Sequence, residues 1–478
     1  MNKKIPLLLS TFCALLFTSA QLFAEIKLPA IFGSNMVLQR ETDVAIWGTA
    51  DTNAAVTVIT SWNDKKYETK ADSNGRFKLK VSTPKAGGPY NVTISDGTAV
   101  TLENVLIGEV WLCSGQSNMQ MPMKGYNNSN QPVLGAMDAI QESTNPTIRL
   151  FNVGMNASLT PRDDFKGKWD MANPETTHGF SATAYFFGRH LQKILNVPVG
   201  LITSSWGGTM VQPWINDDAC KEFEFYKTLK RDSILPKVGA PRTPTVLFNA
   251  MINPMVGYGI RGAIWYQGES NKGEPEAYQR LFPAMIRGWR AKWEQGDFPF
   301  YYAQIAPHTK NDVLPNGGFI REAQLKSATA VPNVAMASTM DIGEQFCIHP
   351  ANKEKIGKRL AQLALYQTYD VKGMSPYSPT YKAVTFKNDT AIVTFDNAPY
   401  GLFSYGKELS LFEVAGEDKV FHPAKAIIVK DGIVVKSELV AQPVAVRYAF
   451  KNFVIGDLYG GNEMPVSSFR TDDWVRDK

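Results

Sequence analysis

Histidine, cysteine and unbroken apolar stretches are all in short supply in this chain. Among 478 residues there are five imidazoles, His178, His190, His308, His349 and His422. The four cysteines, Cys13, Cys113, Cys220 and Cys347, form no CxxC pair and no His–Cys ligand spacing. Neither a zinc site nor a disulfide scaffold is signalled. No run approaches the roughly 20 apolar residues that a membrane-spanning helix needs. A phosphate-cradling glycine loop and a dinucleotide fingerprint are also missing from the sequence, so no cofactor is expected. Charge of either sign is not in excess, with 50 Lys plus Arg against 45 Asp plus Glu. That near-balance argues against a nucleic-acid partner.

The N-terminus carries Lys3 and Lys4, an apolar stretch over 5–17, and then the small residues Ser19, Ala20 and Ala24. This pattern predicts a signal peptide over 1–24, cleaved after Ala20 or Ala24, and a protein that is secreted or periplasmic. Cleavage removes two lysines and no acid, which leaves 48 basic against 45 acidic residues and a net charge of +3. Ser10-Thr11-Phe12 before Cys13 lacks the small residues expected ahead of a lipid-modified cysteine. Three cysteines remain after cleavage, so one bridge at most can form, and Cys113 with Cys347 is the pair to test.

The length calls for more than one core. Short strands at 44–47, 55–60, 77–81 and 90–94, broken by turn residues, predict an N-terminal β-sandwich over 25–104. Apolar runs at 105–113, 197–205, 259–267, 298–306 and 334–341 alternate with amphipathic helical patterns. That alternation predicts an α/β domain over 105–372, with a parallel sheet covered on both faces and its ligand site at the carboxyl ends of the strands. Strand patterns return from 373 to 478 as an all-β module.

Three polar or glycine-rich clusters follow predicted strands: Gly115-Gln116-Ser117-Asn118-Met119, Ser205-Trp206-Gly207-Gly208-Thr209 and Gln267-Gly268-Glu269-Ser270-Asn271. Ester hydrolysis needs a nucleophile, a base, an acid to orient that base, and amide donors for the developing oxyanion. The clusters and His349 supply all four kinds of group. Ser117 stands at a strand end as the nucleophile, and His349, ahead of Pro350 and a helical pattern, is the base. Pro350 is expected in the first turn of that helix. Met119 stands where the Gly-x-Ser-x-Gly elbow requires glycine, which argues against an ordinary α/β-hydrolase.

The segment Gly108-Glu109-Val110-Trp111-Leu112-Cys113-Ser114-Gly115-Gln116-Ser117-Asn118-Met119 resembles the nucleophile block of the sialate O-acetylesterases, whose catalytic domain is of the SGNH hydrolase type. Trp265-Tyr266-Gln267-Gly268-Glu269-Ser270-Asn271 is similar to another block of that family. The resemblance extends to Phe32-Gly33-Ser34-Asn35-Met36-Val37-Leu38-Gln39 and to Phe469-Arg470-Thr471-Asp472-Asp473-Trp474. It implies a flavodoxin-like SGNH domain and removal of acetyl groups from sugar hydroxyls, on O-acetylated sialic acid or another glycan, through an acetyl-enzyme on Ser117. It also implies oxyanion donors at the N–H groups of Ser117 and Gly208, with a side-chain amide from Gln267 or Asn271. Gln116 and Trp214 are expected to meet the sugar, as are Arg321 and Gln324 if the sugar is acidic.

One position departs from the family pattern, which carries Asp two residues before the histidine where this chain has Cys347. A thiol does not stabilise an imidazolium as a carboxylate does, and loss of the orienting acid costs about 10⁴ in rate in a serine protease. Glu269 is expected to take the acid role, with Asp341, Glu344 or a backbone carbonyl as alternatives. Two further readings are a xylan-type polysaccharide deacetylase and a glycan-binding protein with a weakened site. A glycosidase using Glu269 would leave Ser117 without a role.

Overall fold

The computed structural model describes residues 26–228, 241–309, 314 and 316–476. The expected signal segment lies outside the described residues.

The central sheet is built on one long strand, Ala99–Gly115. Its second half is buried on both faces, as the mostly apolar run from Val105, with Glu109 its one charged residue, leads one to expect. On one side it pairs in parallel with Val199–Ser205, which pairs in parallel with Asn145–Asn152. On the other side the parallel order continues through Gly262–Tyr266, Phe300–Ala303 and Val334–Ala337. Without the Asn145–Asn152 edge, this is the 2-1-3-4-5 order of flavodoxin-like sheets. The antiparallel strand Trp169–Ala172 closes that edge. Neither strand was anticipated, because the buried run Ile148–Phe151 is short and contains Arg149, and Trp169–Ala172 has only four residues.

Two apolar cores flank the sheet. The helices Ala182–Leu195 and Lys353–Gln367 cover one face, with Tyr185, Phe186, Leu191, Ile356 and Leu360 in the core. Ser181 caps the first of these helices by accepting from the Ala184 N–H at 3.1 Å. The helices Pro275–Trp293 and Asn316–Ser327 cover the other face.

The first half of the long strand belongs to the N-terminal β-layers, where it pairs antiparallel with Gly87–Ser95. Asp43–Thr49 and Arg76–Ser82 form a second antiparallel sheet there. Asn104, with φ of 55°, marks the turnover between the two halves. The expected boundary between 104 and 105 therefore falls inside one continuous strand. After the last helix the chain forms antiparallel sheets, including Thr380–Lys387 with Thr390–Asp396 and Phe412–Ala415 with Ala445–Tyr448.

Candidate active site

The central strand is where the chain's crossovers diverge to the two sides of the sheet, the position at which open α/β sheets bind ligands. Ser117 lies two residues beyond its end. Gly115 has φ of 142°, and a Cβ there would fall 2.2 Å from the carbonyl oxygen of Tyr266. Only glycine fits. The turn is stitched to both neighbours: the Gln116 N–H donates to Tyr266 O at 3.0 Å, and the Trp206 N–H to Gly115 O at 3.1 Å. Ser117 then opens the short helix Ser117–Gln120.

The loop after Val199–Ser205 closes over the serine. A Cβ on Gly207 would lie 3.2 Å from Ser117 Cβ. The Gly207 N–H is taken by Gln120 Oε1 at 2.8 Å. Gly208, exposed and with φ of 75°, makes no N–H hydrogen bond to the described residues.

His349 reaches the same place from the far end of the sheet. Tyr126 ties the two residues together: its hydroxyl donates to Ser117 O at 2.9 Å, and its ring meets the imidazole edge-on with centroids 5.2 Å apart. His349 Nδ1 is 2.7 Å from Gln131 Oε1. Burial, and then the Lys353 ammonium, push the imidazole down to about 4. The helix does not take Pro350 into its first turn as expected. It begins at Lys353, with the Asn352 side chain as its cap, because Ala351 N–H is held by Glu344 Oε1 at 2.7 Å.

Glu269 does not take the expected acid role. Its Oε1 accepts from Asn118 Nδ2 at 2.6 Å, and its Oε2 is buried without a partner among the described residues. Burial raises the carboxyl above its usual range. Asn118 also donates to Ile348 O at 3.0 Å, and its Oδ1 accepts from the fully buried Lys353 ammonium. Burial lowers that ammonium to about 7. The other acids are likewise committed elsewhere. Asp341 is bidentate to Arg359 at 2.7 Å, and Glu344 caps Ala351. The Cys347 thiol donates to the carbonyl of His349 at 3.2 Å, not to its ring. Cys113 and Cys347 are not bridged.

Several other expectations are corrected by packing. Gln267 is fully buried, with Nε2 on Asn271 Oδ1 at 2.7 Å and on Thr209 O. Asn271 donates to Gln212 and Glu274 and accepts from the Val211 N–H. The N–H groups of both amides thus have partners within the protein. Gln116 aims its Oε1 at the N–H groups of Gly268 and Ser270, both at 3.3 Å, and so shapes the third cluster. Trp214 is fully buried against Trp265, with Nε1 on Thr209 Oγ1 at 3.0 Å. It is core, because its indole N–H finds a partner inside. Arg321 and Gln324 are also fully buried, bonded to Ser468 and to Gln267 O respectively.

The residues not foreseen are Gln120, Tyr126, Gln131 and Lys353. Three of them follow Ser117 within a segment that has little regular structure, where periodicity carries no signal. Beside them a cavity of about 430 Å³ is lined by Gln120, Tyr126, Asn152, Met155, Ser181 and Ser205, with no charged side chain in its wall.

The family described as carbohydrate esterase, sialic acid-specific acetylesterase, matches residues 107–366. Sialate O-acetylesterase of Rattus norvegicus is 30% identical over 429 residues, which cover 76% of this chain and 77% of the relative. Sialate O-acetylesterase of Homo sapiens is 30% identical over 398 residues, covering 74% and 73%. A crystal structure of a carbohydrate acetylesterase from Xanthomonas citri superimposes with a TM-score of 0.85 at 33% identity, covering 94% of this chain and all of that one. The end of the central strand, the serine turn and His349 all fall within the matched residues, and the chain belongs to the sialic acid-specific acetylesterase family of carbohydrate esterases, which makes it a carboxylic ester hydrolase.

Proposed function

We propose that the protein removes acetyl groups from sugar hydroxyls with Ser117 as nucleophile and His349 as base. The observation that carries this reading is Tyr126, which holds the backbone of one residue and the ring of the other. Ser117 Oγ attacks the acetyl carbonyl carbon while His349 Nε2 takes its proton. The tetrahedral oxyanion is met by the N–H groups of Ser117 and Gly208, each donor of this kind contributing about 10²–10³ in rate. As the C–O bond to the sugar breaks, the imidazolium returns the proton to the leaving oxygen. Water then hydrolyses the acetyl-enzyme by the same steps in reverse roles.

O-acetylated sialic acid is the first substrate to try, because the Rattus norvegicus and Homo sapiens relatives carry the name sialate O-acetylesterase. A neutral acetylated glycan of the xylan type is the second reading, favoured by the uncharged wall of the cavity lined by Gln120 and Tyr126. An exported location rests on the residues of the 1–24 segment.

Acetate release from an aryl acetate, from 9-O-acetylated sialic acid and from acetylated xylan, each with wild type and Ser117→Ala, tests these readings. Serine-dependent release from the sialic acid supports the first substrate, and from xylan alone the second. If Ser117→Ala matched wild type throughout, the serine mechanism would be wrong.

A further inference from the structure

A general base of this kind needs one imidazole tautomer. Nε2 must carry the lone pair that receives the Ser117 proton, so the ring hydrogen must sit on Nδ1. That tautomer is held by an acceptor at Nδ1, a place usually taken by a carboxylate. Here no carboxylate fills it: Glu269 accepts from Asn118, Asp341 is bound by Arg359, and Glu344 caps Ala351. The atom 2.7 Å from Nδ1 is Oε1 of Gln131.

Gln131 is not a loosely placed side chain. Its carbonyl accepts from the Tyr126 N–H at 2.9 Å, and its own N–H donates back to Tyr126 O at 3.2 Å. Tyr126 in turn grips Ser117 O and packs against the His349 ring. One short loop therefore sets the nucleophile, the base and the group behind the base. The amide orientation also matters chemically. An amide NH₂ turned toward Nδ1 would place the hydrogen on Nε2 and remove the base.

We propose that Gln131 is the positioning residue of this esterase, its neutral amide oxygen fixing the tautomer and aim of His349 in the place a carboxylate would occupy. This rests on the Ser117–His349 reading. An amide orients the ring but adds no negative charge to stabilise the imidazolium. The groups around His349 do not supply that charge directly. Lys353 on the following helix presses on it with positive charge, and His308 beyond the Phe300–Ala303 strand is itself lowered in part by His349. Glu269 lies behind Asn118, the Tyr126 phenol is turned to Ser117 O, and Glu344 and Cys347 on its own loop face Ala351 N and His349 O. The base is therefore one of low proton affinity, positioned without a charge.

The test uses the full protein and an aryl acetate, with kcat and KM followed against pH for wild type, Gln131→Met, Gln131→Glu and Ser117→Ala. Gln131→Met keeps the volume and removes the acceptor, and is expected to lower kcat by about tenfold or more with KM little changed. Gln131→Glu keeps the acceptor and adds the charge. It is expected to retain turnover and to move the acidic limb of kcat/KM upward, since a carboxylate at Nδ1 favours the imidazolium. The Gln131→Glu protein also guards against a folding artefact, because it is isosteric. Wild-type kcat and an unmoved limb in both Gln131 variants, with Ser117→Ala inactive, would overturn this proposal alone. Full activity in Ser117→Ala would instead remove the reading on which it rests.

Discussion

The side-chain amide of Asn118 stands between Glu269 and Lys353, donating to the carboxylate at 2.6 Å and accepting from the ammonium. The residue next to Ser117 thus separates two buried groups of opposite type. Its third contact, to Ile348 O, fixes the loop that carries His349. This network explains why a lysine is tolerated with no exposure to water. It also explains why Glu269 is unavailable to the imidazole.

Lys353 should leave a signature in stability. Its ammonium falls from the ordinary 10.5 to about 7 through burial. Between those values the unfolded chain binds a proton that the folded one does not, so stability rises with pH there. The contribution is complete above 10.5 and is lost as pH falls through about 7. Thermal melts from pH 7 to 10 should show that rise in wild type and a flatter profile in Lys353→Met. Parallel pH profiles for the two proteins would contradict this.

The same lysine bears on catalysis. Burial and Lys353 bring His349 down to about 4, and the base works only when unprotonated. Wild-type kcat/KM should therefore stay flat well below the ordinary histidine range and fall only near pH 4. Lys353→Met removes the second cause and should shift that fall upward. Initial rates on an aryl acetate between pH 3.5 and 8 read both; a wild-type midpoint near 6.5 would count against the assignment of His349 as base.

Gly115 carries the geometry of the serine turn. An added methyl meets Tyr266 O at 2.2 Å and its carbonyl carbon at 2.8 Å, both backbone atoms of the adjacent strand. Gly115→Ala should cost about 3 kcal/mol or more and abolish turnover even in the folded fraction. Chemical denaturation together with active-site titration separates the two effects.

Trp214 is assigned to the core by its burial and its bond to Thr209. Trp214→Ala should destabilise by about 3–5 kcal/mol, and Trp214→Phe by less, with KM for any glycan ester unchanged in Trp214→Phe. A raised KM without a fall in melting temperature would place this ring at the sugar instead.

What was legible in the sequence followed from local rules. The mostly apolar run ending at Cys113 specified a strand buried on both faces, and the helical spacing of Tyr185, Leu191, Ile356 and Leu360 specified the cover on one side. Gly115 and Ser117, two positions apart in the chain, marked the serine turn, and the long blocks around Ser117 and Glu269 carried the family. Asn145–Asn152 escaped because its buried run is only four residues long and is interrupted by Arg149.

The partner of each polar side chain was decided by tertiary structure alone. Gln131 and His349 are 218 positions apart, and no periodicity connects a loop amide to a loop imidazole. Glu269 stands in the right cluster yet bonds Asn118, because a buried carboxylate takes the nearest donor that folding presents. Trp214 lies beside Pro213 in what reads as a loop but folds under Trp265 and Trp289. Composition and spacing set which chemical groups this protein has and on which strands they stand. Only the closing of the sheet, which brings residues from its two halves within hydrogen-bonding distance, set which of them meet.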